Sequence, residues 1–434
     1  MLLGDLLGAM SYALDLTEGE QGGHVLRTCL IGMGIGRRAG LGEEELASLY
    51  HALLLKDMGC SSNSARIAAV LLADDHLVKR SSKRRDLTRA SGRLRHALAT
   101  AAHDRPLAER VRTLRALATS EGFHDELVRI RCERGAAIAD DLGFGPVTVA
   151  AIRAVDEHWD GQGHPDGLRG EEIPLLGRIA GLAQTVEICG AATARRRAGR
   201  WFDPALVALV RDERIPRDPS ALAAAVHAHA PPPAAIPADE ARVSRVAHAF
   251  AEVVDAKSPS TGGHSHRVAA LVAGTADELG LGADRGVVRA ALLHDIGKLG
   301  LSNRILDKPG PLTSREWAAV RSHPLQTEEI LSRAGPLRPL ARIAGAHHER
   351  LDGTGYPRGL RADALPTPVR LIAVADVFDS MVSSRPYRVA MSTGGAIARM
   401  RDEAAAGRLD EDCVNALAAF VSRPGRDLAA PTVV

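Results

Sequence analysis

One spacing recurs along this chain and restricts its architecture more than any single motif. Gly161-Gln162-Gly163-His164-Pro165 and Gly353-Thr354-Gly355-Tyr356-Pro357 stand 192 positions apart, and so do Arg178-Ile179-Ala180 and Arg370-Leu371-Ile372. Upstream, Gly22-Gly23-His24-Val25 recurs as Gly262-Gly263-His264-Ser265 at an offset of 240, and Leu54-Leu55-Lys56-Asp57-Met58-Gly59 recurs as Leu292-Leu293-His294-Asp295-Ile296-Gly297 at 238. Elements repeated in one order imply two copies of one folding unit. The jump in offset places an insertion of about 46 residues in the first copy, in the basic region near 76–117. Between the copies Pro216, Pro219, Pro231, Pro232, Pro233 and Pro237 accumulate. Proline removes a backbone donor and fixes φ, so this segment reads as a semi-rigid spacer. It has room for a short Ala-rich helix at 220–229. The expected organisation is a first domain at 1–213, a Pro/Ala-rich linker at 214–238 and a second domain at 239–434.

The copies read as helical. Val268, Leu271, Val272 and Ala276 recur at three- and four-residue steps, as do Val288, Ala291 and Leu292, and in the first copy Leu46, Leu53 and Leu54. Alternating strand patterns are scarce, so the expected fold class is all-α, two related helical bundles in tandem. With 45% hydrophobic residues the cores can be filled, but only 3% are aromatic. A platform for stacking bases of a nucleic-acid polymer is therefore not expected. Basic and acidic totals of 55 and 53 nearly cancel, leaving no global field for a polyanion. The five cysteines, Cys29, Cys60, Cys132, Cys189 and Cys413, are widely spaced and odd in number, which fits buried thiols in a reducing compartment. No apolar run approaches about 18 residues and an acid, Asp5, stands near the start, so the expectation is a cytoplasmic protein without a membrane span.

Chemistry concentrates in the second copy. His264, His294, His323, His347 and His348 supply five imidazoles, and Asp295 and Asp376 two carboxylates. Any one of these histidines alone would be read as a core or surface residue; together and in this order they suit divalent metal. The absence of a thiolate favours iron or manganese, with zinc, magnesium or nickel left open. Neighbours on a helix point about 100° apart, so His294-Asp295 and His347-His348 suit two ions better than one point. Metal lowers the pKa of bound water from about 15.7 to about 7, the nucleophile that phosphodiester hydrolysis needs.

The ordered set Gly262-Gly263-His264-Ser265, His294-Asp295-Ile296-Gly297-Lys298, Ile305-Leu306-Asp307-Lys308-Pro309-Gly310, His323-Pro324, His347-His348-Glu349, Asp352-Gly353-Thr354-Gly355-Tyr356-Pro357, Val374-Ala375-Asp376 and Arg385-Pro386-Tyr387-Arg388 resembles the HD-GYP family, the bacterial branch of the HD phosphohydrolases that hydrolyses cyclic di-GMP. The resemblance covers about 249–421. It implies a binuclear centre in which Asp295 bridges, with His264, His294 and Asp376 on one ion and His323, His347 and His348 on the other. Asp295 and Lys298 would be the catalytic pair, with Lys298 stabilising phosphate charge. Arg385 and Arg388 would hold phosphate oxygens, and Gly355, Tyr356 and Pro357 would shape the loop beside the base. Three-metal members carry a glutamate four residues before the first histidine, where Ser260 stands here, so two metals are expected. The implied activity is hydrolysis of cyclic di-GMP to the linear dinucleotide, and on to GMP where the site permits. Another cyclic dinucleotide or nucleotide as substrate, or a non-catalytic sensor of cyclic di-GMP, are the competing readings.

The first copy keeps His24 and Asp57 of this set. Lys56, Cys60, Arg131, Val155, Asp156 and Gln184 stand where His294, Lys298, His323, His347, His348 and Asp376 stand in the second. This half is expected to regulate or scaffold, as a homodimer contact or through a signalling partner. The basic run Lys79-Arg80, Lys83-Arg84-Arg85, Arg89, Arg93 and Arg95, interleaved with Ser, Thr and Gly, reads as a mobile, solvated insertion.

Overall fold

The computed structural model describes residues 1–120, 122–212, 214–384 and 389–423. Among them helices account for the regular structure, and β pairing is confined to isolated bridges such as Asp352 with Arg361. The fold is all-α. Contacts divide the chain into two compact units, Met1–Arg245 and Val246–Val434.

In the second unit the periodic apolar residues become the core. The His264–Glu278 helix buries Val268, Leu271, Val272 and Ala276 against Arg285–Leu293, Thr367–Val382 and Glu411–Val421. Each Val or Leu so buried contributes roughly 1.5–3 kcal/mol. Some of the helices begin where side chains replace missing backbone partners. Asp284 accepts from the Val287 amide at 2.9 Å, and Thr313 and Glu316 form a reciprocal capping box.

The first unit repeats this plan with helices His24–Arg38, Glu43–Leu55, Phe123–Asp141 and Leu175–Cys189. The segment between its first helices and Phe123 differs from expectation. It forms three helices, Asp75–Arg84, Ala90–Thr100 and Leu107–Thr119, and is neither irregular nor wholly solvated. Val78 and Ala101 join Ile67, Leu71 and Leu127 in a buried cluster. Two cations of the basic run turn inward: Lys79 reaches the Ser64 hydroxyl at 2.7 Å, and Lys83 lies 2.6 Å from the buried Glu18 carboxylate. Composition alone hid this, because the anion that pairs with Lys83 stands 65 positions earlier. Between the copies, Pro219–Ala228 is helical and packs on His24–Arg38 and Leu3–Glu18.

Candidate metal centre

The seven His and Asp residues arrive from separate elements of the second unit. His264 opens its helix behind Gly263, whose φ of 68° is a conformation that side-chain-bearing residues rarely adopt. His294 and Asp295 form the junction between the Arg285–Leu293 helix and the 3₁₀ turn Ile296–Gly300. His323 starts the His323–Arg333 helix, which packs on that turn. Gly297 permits the approach, since a Cβ there would lie 2.1 Å from the His323 carbonyl oxygen. Asp376 sits within Thr367–Val382. The short helix Ala341–Ala344 precedes His347 and His348, which follow it in a turn.

The donor atoms converge in two groups. His264, His294 and Asp376 form one, and Asp295, His323, His347 and His348 the other, with ligand atoms within 4.8 Å of one another in each. Asp295 connects them. Its Oδ2 lies 3.3 Å from His294 Nε2 and 3.5 Å from His264 Nε2, while its Oδ1 lies 3.2 Å from His323 Nε2 and 3.6 Å from His347 Nε2.

Four imidazoles are oriented from behind. Nδ1 of His294, His323 and His347 donates to the carbonyls of Ala291, Val320 and Ala344 at 2.7, 2.7 and 2.6 Å, and His264 Nδ1 meets Asp379 Oδ2 at 2.7 Å. A carbonyl only accepts, so in the first three the proton sits on Nδ1 and the Nε2 lone pair faces the cluster. His348 instead presents Nδ1, 3.6 Å from Asp376 Oδ2, and its ring packs on Tyr356 with centroids 4.7 Å apart.

Burial and neighbouring charge set the protonation of several of these side chains. Burial drives the His323 pKa down to about 4 and that of His348 well below the usual imidazole value, so both are neutral near pH 7. Burial alone would raise Asp295, but His294 and Lys298 outweigh it and keep the carboxyl well below its ordinary range. Burial likewise opposes charge on His264, yet hydrogen bonds with Asp295, Asp376 and Asp379 pull its pKa well up. That pull shows how strongly the cage attracts positive charge. Asp295 Oδ1 is buried and accepts no hydrogen bond among the described residues. An orphaned carboxylate oxygen facing imidazole lone pairs fits a divalent cation, and the imidazole and carboxylate donors suit one.

Lys298 forms an ion pair with Asp295 at the edge of the cluster. Tyr356 lies between His348 and Arg321, whose guanidinium carbon is 5.6 Å from the ring centroid. Gly355 is tightly enclosed, since a Cβ there would stand 2.3 Å from the Arg350 amide nitrogen; Pro357 completes the loop. Arg385 and Arg388 lie outside the described residues. Two further residues act on the site. Asp379 holds both His264 and Arg267, the latter at 2.6 Å, and Glu349 accepts from the Arg358 and Leu360 amides at 2.7 and 2.9 Å, closing the Gly355 loop. Asp379 stands three residues after Asp376 on one helix, a spacing that points both acids to one side.

The matching place in the first unit is filled by side chains. Lys56 Nζ lies 3.3 Å from His24 Nε2 and 3.0 Å from Gln184 Oε1, and forms an ion pair with Asp57. Those three occupy the positions of His264, Asp376 and Asp295. Glu187 contacts His24 at 2.5 Å and Arg27 at 2.7 Å, as Asp379 contacts His264 and Arg267. Arg131, in the place of His323, pairs with Asp156, in the place of His348. Glu18, Asp57 and Cys60 cluster closely enough to suggest ligands, but Lys83 faces both acids, 2.6 Å from Glu18 and 3.8 Å from Asp57.

A helical bundle in which His and Asp groups converge on one carboxylate fits the class of HD-domain proteins. The HD domain family model matches residues 124–214 and 248–413, one segment in each unit, and the chain belongs to this family in its HD-GYP branch. It is 43% identical to 3'3'-cGAMP-specific phosphodiesterase 3 of Vibrio cholerae over 96% of this chain and 94% of that one. It is 39% identical to the cyclic di-GMP phosphodiesterase response regulator RpfG of Xanthomonas campestris pv. campestris, over 39% of this chain and 45% of that one. A crystal structure of a cyclic GMP-AMP specific phosphodiesterase of V. cholerae matches with a TM-score of 0.64 and 39% identity, covering 97% of this chain and 98% of that one. Among the described residues no helix is long and apolar enough to cross a membrane.

Proposed function

We propose that the second unit is a metal-dependent phosphodiesterase that opens a cyclic dinucleotide to its linear form, with 3'3'-cGAMP as the preferred substrate. The observation that carries the reading is Asp295, whose two oxygens face the two donor groups separately. In this reading His264, His294 and Asp376 hold one ion, His323, His347 and His348 the other, and iron or manganese fills both. When bound, such ions lower the pKa of water and neutralise phosphoryl oxygens. Lys298, half-buried beside Asp295, is positioned to meet a phosphate oxygen as negative charge develops. Tyr356, packed on His348, offers a wall for a base, and Glu349 keeps that wall in place.

The preference for 3'3'-cGAMP rests on extent of likeness. The relative named for that substrate matches through both units, whereas RpfG matches over 39% of the chain. Cyclic di-GMP, expected from the motifs, is the second reading. The first unit, its ion position taken by Lys56, is assigned a regulatory or scaffolding role.

The test uses full-length protein purified without oxygen, its metal content measured, then given Mn²⁺ or Fe²⁺ and equal 3'3'-cGAMP and cyclic di-GMP in competition. Faster consumption of 3'3'-cGAMP to a linear dinucleotide supports the proposal. Faster consumption of cyclic di-GMP moves the assignment to the second reading. Metal-loaded protein that leaves both intact overturns the hydrolase.

A further inference from the structure

The first unit contains a cavity that the phosphodiesterase reading does not use. It has a volume of about 670 Å³ and lies beneath the inserted helices, walled by Ile67, Leu71, Val78, Leu114, Leu117 and Leu127. A volume of this size is typical of sites for small organic ligands. Leu94 and Leu98 also line it while remaining 60% and 46% exposed, so the helix Ala90–Thr100 presents apolar surface that its own unit leaves uncovered. The cavity adjoins a second, more polar one of about 280 Å³, and Arg93 borders both.

The charges at this junction are unequal in kind. Arg131, Lys79 and Lys83 are engaged by Asp156, Ser64 and Glu18, and Asp125 is paired with His164 at 3.0 Å. Arg93 spends one amino group on the carbonyls of Leu87 and Thr88, at 3.1 and 3.0 Å, and Arg85 bonds the Ser81 hydroxyl. Among the described residues neither guanidinium has a carboxylate partner, and both face the polar cavity. Aliphatic walls with Phe123 as their one Phe, Tyr or Trp side chain suit a hydrocarbon better than a stacked base. The guanidinium nitrogens not spent on these bonds, at the junction of the two cavities, suit an oxyanion.

We propose that this cavity binds an amphipathic anion, an alkyl chain whose carboxylate or phosphate head rests on Arg93 and Arg85. The probe ligands are dodecanoate and dodecyl phosphate, with dodecanol as the uncharged control, all below their micellar concentrations. They are titrated calorimetrically into full-length protein. The expected result is one saturable site per chain for at least one anion, the preferred anion naming the head group. Dodecanol and the Arg93→Ala variant should each bind about 10-fold more weakly, roughly the value of one charge-assisted hydrogen bond. Ala97→Trp fills the chamber and should abolish binding while circular dichroism stays native. Ala118→Trp, on the same wall, serves if the first variant does not fold. No saturable binding of either anion, dodecanol binding as tightly as the anions, or undiminished binding in a folded cavity-filling variant overturns the proposal.

Discussion

The ammonium of Lys56 sits 3.0 Å from the side-chain oxygen of Gln184, two residues 128 positions apart that occupy, in the first unit, the places of His294 and Asp376. With His24 and Asp57 they enclose a fixed internal cation. An ammonium there neutralises a buried carboxylate without any ion from solution.

Replacing Lys56 by methionine keeps the volume and removes the charge, leaving Asp57 buried with a weakened set of partners. Breaking a buried pair from one side costs on the order of 3–5 kcal/mol. Urea unfolding of the Lys56→Met protein, followed by the fluorescence of Trp159 and Trp201, should show the first unit weakened by about that amount. A chelator should leave the wild-type transition of this unit unchanged, while lowering that of the second unit reported by Trp317.

Asp379→Asn should weaken metal binding without removing a ligand. The carboxylate orients His264 through Nδ1 and is itself held by Arg267. Loss of such outer support typically costs ~10–100-fold in metal affinity. Titration with a competing chelator measures the change; an unaltered affinity would show that packing alone orients His264.

Glu349→Ala should loosen the Gly355 loop. Two backbone donors, from Arg358 and Leu360, lose their acceptor. The expected effect is a fall of about tenfold or more in kcat/KM with metal content unchanged, because Tyr356, proposed as the wall for a base, loses its anchor. Steady-state kinetics with parallel metal analysis separate this from damage to the metal centre.

Acid should destabilise the first unit through His51. Burial pushes its pKa down to about 4, and its ring packs against Phe144 at 4.8 Å. The unfolded value is near 6.5. A depressed folded pKa means the stability is present above about 6.5 and is lost as pH falls toward 4, where the folded state must also take the proton. The full loss is roughly 3 kcal/mol. Urea midpoints at pH 7.5 and 4.5 should differ less in His51→Leu than in the wild type.

The helical class was legible because it rests on local spacing, and the seven His and Asp candidates because they stand in an ordered set of motifs that resembles a known family. Period and residue identity survive in a linear string, and the paired copies supply an internal reference for every position. The same reference exposed Lys56 and Arg131 as exceptions. It also marked the insertion, but read its charges as solvated, since nothing near Lys79 or Lys83 in the sequence announces Glu18.

From the sequence alone came the elements and the chemical types that meet at the second unit's cluster. Tertiary packing decided which atoms meet. It set Asp379 behind Nδ1 of His264, divided the oxygens of Asp295 between two groups, and placed the ammonium of Lys56 among His24, Asp57 and Gln184. The carbonyls that orient His294, His323 and His347 stand only three residues before them, whereas Asp379 and Gln184 stand 115 and 128 positions from His264 and Lys56 and are brought to 2.7 and 3.0 Å by buried helix faces, an approach that no local periodicity encodes.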